Sequence, residues 1–164
     1  GNLQLAVKAL DEIMKNGSER GSPQTLQIGS DGRESPLQHV VVTEADANDY
    51  DALVLPGGVM NPDFLRQDQH AVEFVKDFLK QGKTVASICH GPWTLIEAGA
   101  VKGKRVTSWP SLKTDLRNAG AEWVDEQVVF DKGLITSRKP DDLKAFGAKI
   151  IEELSKSQEL EAAS

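Results

Sequence analysis

Cys89, the single cysteine of the chain, stands directly before His90 in TVASICHGPWT, residues 84–94. A thiol beside an imidazole is equipped for nucleophilic chemistry, in which the thiolate attacks a carbonyl carbon and the ring moves protons. Adjacent side chains on a sharp turn can also point apart, and His90 would then act through the substrate rather than by touching sulfur. The flanking residues favour such a turn. TVASI predicts a strand, Ser87 and Gly91 leave room for a tight backbone, and Pro92 suits the first position of a helix. A helix starting there turns its positive end toward Cys89 and favours thiolate over thiol. A core reading stays open on the same residues, because a free cysteine at a strand end is often a small buried hydrophobe.

A second loop is expected on the same rim. LPGG at 55–58 ends the apolar run ALVLP, 52–56, which should lie beside TVASI. Gly57 and Gly58 leave N–H groups uncovered, and convergence of the Gly58 and His90 amides would form an oxyanion hole for a tetrahedral intermediate.

The elements that must hold these loops follow from periodicity. Leu3, Ala6, Val7, Leu10, Ile13 and Met14 predict an opening amphipathic helix stopped at Asn16-Gly17. Residues 17–36 read as loop with at most a short strand at 26–28, and HVVVT, 39–43, reads as a strand followed by a polar turn. Ala71, Phe74, Val75, Phe78 and Leu79 form a helical stripe between ALVLP and TVASI, which makes a β-α-β unit. A short helix at 92–98, a strand at 105–109 and a helix at 111–118 come next. Glu122 to Ser137 reads as a hairpin turning near Asp131-Lys132-Gly133, and a helix beginning at Asp141 closes the domain, with Asp141-Asp142 as its cap. Strands alternating with helices predict an α/β fold with an open, mostly parallel sheet, whose sites gather at the carboxyl ends of strands. One domain is expected over 1–155, with 156–164 as a C-terminal tail.

The 164 residues carry 19 Lys and Arg against 25 Asp and Glu, a net charge of −6 that argues against a nucleic-acid or anionic-membrane partner. One cysteine forms no internal disulfide, and no apolar run approaches the roughly 18 residues of a membrane span. The expectation is a cytoplasmic, reduced protein. His39 and His70 share no ligand spacing with each other or with Cys89, so no metal is expected, and no phosphate loop or dinucleotide fingerprint calls for another cofactor. Asp115 and Arg117 could rim a pocket but read first as a solvated helix face, and Trp93 and Trp123 as core or subunit-contact residues.

From about Asp49 to Leu154 the chain resembles the PfpI family of the ThiJ/PfpI superfamily. The resemblance rests on YDALVLPGG at 50–58, GKTVASICHGPWTLIEAG at 82–99, VTSWPSLKTDLRNAGAEWVD at 106–125 and TSRKPDDL at 136–143. It implies a flavodoxin-like three-layer sandwich with Cys89 as nucleophile on an elbow, His90 beside it, Gly57 and Gly58 amides as oxyanion donors, and Trp109 as an aromatic ring near the thiol. Members are described as cysteine peptidases and as enzymes acting on methylglyoxal and glycated adducts, with stress protection as the cellular role. They use no cofactor, and dimers or rings of dimers are the family's habit.

The first 48 residues depart from that pattern. Family members open with a central strand ending in a Gly-Phe-Glu-like turn whose glutamate approaches the cysteine. Glu34, in SDGRESPL at 30–37, is the superficial match, at a spacing to YDALVLPGG too short for the intervening helix and strand. Peptidase-like members place an acidic residue of a second subunit against the histidine from the segment matching RQDQHAV, 66–72, where this chain has Gln69. The expectation is therefore a stress-protective enzyme in which Cys89 attacks α-oxoaldehydes such as methylglyoxal, or early glycated adducts. The alternatives are an intracellular cysteine peptidase acting on peptides or proteins, and a non-catalytic redox sensor using Cys89.

Overall fold

The computed structural model describes residues 5–6, 26–28, 34–36 and 42–162. In chain order the elements are β1 (Leu5–Ala6), β2 (Leu26–Ile28), β3 (Glu34–Pro36), β4 (Ala52–Leu55), α1 (Met60–Leu65), α2 (Gln69–Lys80), β5 (Thr84–Ile88), α3 (Pro92–Glu97), β6 (Arg105–Val106), α4 (Lys113–Asn118), β7 (Glu122–Trp123), β8 (Val128–Asp131), β9 (Leu134–Ser137) and α5 (Leu143–Ala162). Five strands form one sheet in the order β1-β4-β5-β9-β8. The pairs β1–β4, β4–β5 and β5–β9 are parallel, and only β8 runs antiparallel to its neighbour β9.

Continuous apolar runs suit strands covered on both faces, and the burial divides with period two. Leu53, Leu55, Val85 and Leu134 face Val72, Val75 and Phe78 of α2 and Leu95 of α3. Ala52, Ala86, Ile88 and Ile135 face Phe146, Ile150 and Leu154 of α5. Phe78 is wholly buried, so truncating it to alanine costs about 3–5 kcal/mol. The result is a flavodoxin-like three-layer sandwich in which β5 is central and all five of its residues are buried.

The β-α-β unit and the hairpin are where periodicity puts them. The hairpin closes through Lys132 and Gly133, both at positive φ (50° and 79°), the two-residue turn whose twist matches paired strands. It begins only at Val128, because Glu122–Trp123 instead pairs in parallel with Arg105–Val106.

Two expectations are corrected. Leu5–Ala6 is a strand beside Ala52–Leu53 rather than part of a helix, and the rest of the stretch 3–14 lies outside the described residues. Val42 and Thr43, expected at the end of a strand, form a 3-10 turn with Glu44, and 39–41 lie outside the described residues. The β-branched run there is read by neighbouring structure rather than by propensity. At the other end, α5 continues past Ser155 to Ala162. Lys149 and Lys156 bridge Glu152 and Glu153 at helical spacing and support that extension.

Candidate functional site

Cys89 occupies the first position after the buried strand β5. Its N–H donates to Ser137 O (3.1 Å) and its carbonyl accepts the Trp109 N–H (2.9 Å), so the backbone is held from both sides. Between these clamps Cys89 adopts φ 64°, the left-handed region that costs a non-glycine residue on the order of 1–3 kcal/mol. The Gly91 N–H closes the turn on Ile88 O (3.0 Å), and α3 starts with Pro92. A strained elbow of this kind points its side chain out of the sheet.

Two glycines make the geometry possible. A Cβ on Gly91 would lie 2.5 Å from Ser87 Oγ and 2.7 Å from Leu55 O, so only glycine lets the turn pack down on β4. A Cβ on Gly57 would lie 2.5 Å from Cys89 Cβ and 3.2 Å from its Sγ. The loop after β4 therefore presses directly on the cysteine. Among the described residues, the N–H groups of Gly58 and His90 donate to no acceptor.

The Cys89 Sγ lies 3.3 Å from His90 Nδ1, so the two side chains meet directly rather than pointing apart. The other ring nitrogen, Nε2, lies 3.4 Å from Ser111 Oγ. The ring stacks on Trp109 (centroids 6.0 Å apart, planes 24° apart) and meets Trp93 edge-on (5.3 Å, 67°). His90 is only 9% exposed, and burial pushes its pKa below the ordinary histidine value. At neutral pH the ring is thus uncharged, with one nitrogen free to take a proton and the other to give one. Trp109 is 39% exposed and forms the open wall of the site.

Trp93 belongs to this site as well as to the core. Its Nε1–H donates to Asp115 Oδ2 (2.9 Å), the Arg66 guanidinium sits 5.7 Å from the ring centroid, and Arg66 pairs with Glu97 (3.3 Å). Asp115 is thus a rim residue with a partner, while Arg117 is exposed on the same helix. Trp123 donates to Ser108 Oγ (3.0 Å) behind Trp109. Ser111 and Arg66 carry no recognisable spacing in the sequence, since each comes from a different element that only the fold brings to the ring.

Beyond β9, Arg138 holds Asp142 through two nitrogens (2.9 and 3.2 Å) and Asp125 through a third (2.7 Å). Asp142 is 2% exposed and its carboxyl is held below the usual carboxylate range by the Arg138 hydrogen bond. It is therefore a buried anchor for the segment after Ser137, where a simple helix cap is expected. Ser137, whose carbonyl receives the Cys89 N–H, is fixed in turn through its hydroxyl on Gln127 O (2.7 Å).

The structure does not bring every candidate to this place. Glu34 lies in β3, which among the described residues pairs with β2 in a two-stranded sheet, and its side chain lies outside the described residues. Among the described residues no carboxylate contacts Cys89 or His90. Gln69 is exposed at the start of α2, beside the capping residue Asp68. His70 pairs with Asp68 (3.6 Å), and His39 lies outside the described residues. Among the described residues no three His, Cys, Asp or Glu side chains gather as metal ligands do, and no helix is long and apolar enough to cross a membrane.

Comparison with known proteins finds relatives over most of the chain. Residues 22–153 match the DJ-1/PfpI family. The chain is 41% identical over 147 residues to protein/nucleic acid deglycase 2 of Escherichia coli, covering 86% of this chain and 84% of that protein. It is 44% identical over 108 residues to deglycase PfpI of Pyrococcus furiosus, covering 66% and 64%. Several curated relatives are matched over only about two thirds of their length. Among solved structures, a two-domain protein of Anabaena variabilis with DJ-1/ThiJ/PfpI-like and ferritin-like domains superposes with a TM-score of 0.69 at 42% identity, covering 82% of this chain and 39% of that one. On its sequence, its sheet and its cysteine elbow, the chain belongs to the DJ-1/PfpI family.

Proposed function

We propose that the protein is a cysteine-dependent enzyme of the glyoxalase or deglycase type, acting on α-oxoaldehydes such as methylglyoxal or on early glycated adducts. The observation that carries this reading is the 3.3 Å approach of His90 Nδ1 to Cys89 Sγ at a strained, clamped elbow. Neutral His90 takes the thiol proton, and sulfur forms a bond to the aldehyde carbon. The carbonyl oxygen becomes an oxyanion beside the Gly58 and His90 amides, with the Gly57 backbone pressed against the cysteine to fix the loop. Return of the proton from His90 gives a hemithioacetal. Transfer of the proton on the former aldehyde carbon to the adjacent carbonyl carbon, through an enediol, then gives a thioester. Water hydrolyses it to the hydroxy acid and frees the thiol. The net change is addition of one water, with no external oxidant or reductant.

The flat Trp109 ring and the edge of Trp93 suit a small planar dicarbonyl lying over His90. The same thiol serves adducts on protein side chains if they reach past the exposed Trp109. A stress-protective role in a reducing, cytoplasmic setting and assembly as a homodimer or larger homo-oligomer are part of the same reading. In support of assembly, Val59, Met60 and Phe64 are exposed beside the Gly57-Gly58 loop.

The test follows methylglyoxal loss, lactate formation and casein hydrolysis for the parent protein and for Cys89→Ser. Lactate formation that Cys89→Ser abolishes is the expected result. Aldehyde turnover unchanged in that variant overturns the proposal, and Cys89-dependent casein hydrolysis without aldehyde turnover replaces it with the peptidase reading.

A further inference from the structure

At the end of the sheet away from Cys89, residues just before β5 and at the β8–β9 turn enclose a cleft of about 240 Å³. Lys83, Lys102, Lys104 and Lys132 line it together with Gly82 and Gly133. Lys83 and Cys89 bracket β5, which separates cleft and thiol by about 20 Å at some 3.3 Å per residue. The cleft is therefore no part of the thiol site.

Its lysines lack the carboxylate partner that most of the other described lysines have. Lys76, Lys80, Lys139, Lys149 and Lys156 each pair with a carboxylate. Among the described residues, none of the four cleft lysines has such a pair. Lys83 donates to Ala47 O (2.8 Å), Lys104 to Lys132 O (3.4 Å) and Lys132 to Gly103 O (3.5 Å). Burial pushes the Lys104 ammonium below the usual lysine range, and Lys132 adds to the effect. Asp131 opposes it, but one of its oxygens already accepts the Arg105 N–H (2.8 Å). In a chain of net charge −6, four mutually repelling ammonium groups gather around one concavity, and three of them hydrogen-bond to carbonyls.

We propose that this cleft binds a small phosphorylated anion of about the size of pyrophosphate. Several lysines around one space form a set of point charges that a multiply charged phosphate neutralises at once. A volume of 240 Å³ corresponds to roughly eight waters at ~30 Å³ each, room for two phosphoryl groups with residual hydration. The bound anion offsets the repulsion among the lysines and favours the charged form of Lys104.

Isothermal titration of the full chain with sodium pyrophosphate at pH 7.5, at constant ionic strength held with sodium chloride, tests the proposal. The expected result is saturable one-to-one binding, weakened at least tenfold in Lys104→Ala and in Lys102→Ala and unchanged in Cys89→Ser. Lys102 is exposed, so its variant keeps the test decisive if Lys104→Ala folds poorly. Absence of saturable heat overturns the proposal, as does pyrophosphate binding that both lysine variants retain. A lysine-dependent affinity for oligothymidylate without affinity for pyrophosphate also overturns it, in favour of a nucleic-acid surface.

Discussion

His90 bridges two side chains that the sequence separates by 22 residues: its Nδ1 lies 3.3 Å from Cys89 Sγ and its Nε2 lies 3.4 Å from Ser111 Oγ. The imidazole is thereby a relay with a thiol at one end and a hydroxyl at the other. No carboxylate among the described residues takes the orienting part, and Ser111 stands in that position.

The buried ring sets the pH dependence. A histidine whose pKa is lowered by burial stays neutral, and so able to accept the thiol proton, at pH values below the ordinary ~6.5. The acid limb of kcat/KM for methylglyoxal is therefore expected below pH 6.5. Removing the stacked ring in Trp109→Ala lets water reach His90 and moves that limb upward. A limb at or above pH 6.5 in the parent, unmoved in the variant, contradicts the assignment.

Ser111→Ala removes the partner of Nε2. A hydrogen bond worth about 1 kcal/mol corresponds to a fall in kcat of about fivefold. KM should change little, and Ser111→Thr should restore the rate because the hydroxyl returns. A fall shared equally by the alanine and threonine variants would show that only the shape of the loop matters.

Gly57→Ala places a carbon 2.5 Å from Cys89 Cβ, where carbons need about 3.5 Å. The loop or the cysteine must shift by about 1 Å, a displacement that can cost on the order of 100-fold in rate. Turnover should drop by that order while the thermal melt changes little, since the loop lies at the surface end of the sheet. Full activity in Gly57→Ala would remove the loop from the site.

What was legible in the sequence is what burial on both faces writes there. Ala52–Leu55 is an unbroken apolar run and Thr84–Ile88 a run of small and β-branched residues because helices cover both sides of the sheet, and Gly91-Pro92 marks the elbow because a Cβ at 91 would clash and proline suits the helix start. The site's supporting residues were not legible. Ser111 reads as a polar loop residue after Trp-Pro, and Arg66 as one of many surface charges, because no local period links Ser111 to His90 or Arg66 to Trp93. Asp142 reads as a helix cap because its partner Asp125–Arg138 network is assembled from separate segments. Val42–Thr43 misleads in the opposite sense, as β-branched residues without a neighbouring strand to pair with among the described residues.

Asp142→Asn tests that network. The Arg138 hydrogen bond holds the folded carboxyl below its unfolded value of about 3.9, so its contribution is present above pH ~4 and is lost as pH falls through the lower folded value. The variant should lose about 2 kcal/mol at pH 7, less than the ~3–5 of a fully buried pair because Arg138 is partly exposed. The difference between urea melts of parent and variant should shrink as the pH is lowered from about 5 to about 3. A difference that persists undiminished at pH 3 would show that packing rather than charge holds this segment.

The central claim is that Cys89 carries the substrate covalently with His90 as its proton partner. Quenching a methylglyoxal reaction with acid, under which a thioester persists, and mapping the peptide that contains residues 84–94 by mass spectrometry tests it directly. The account predicts a lactoyl thioester on Cys89 in the parent, none in Cys89→Ser, and formation slowed by about 10²–10⁴ in His90→Ala. Adduct found only on lysine or arginine side chains, at equal rates in all three proteins, would contradict it.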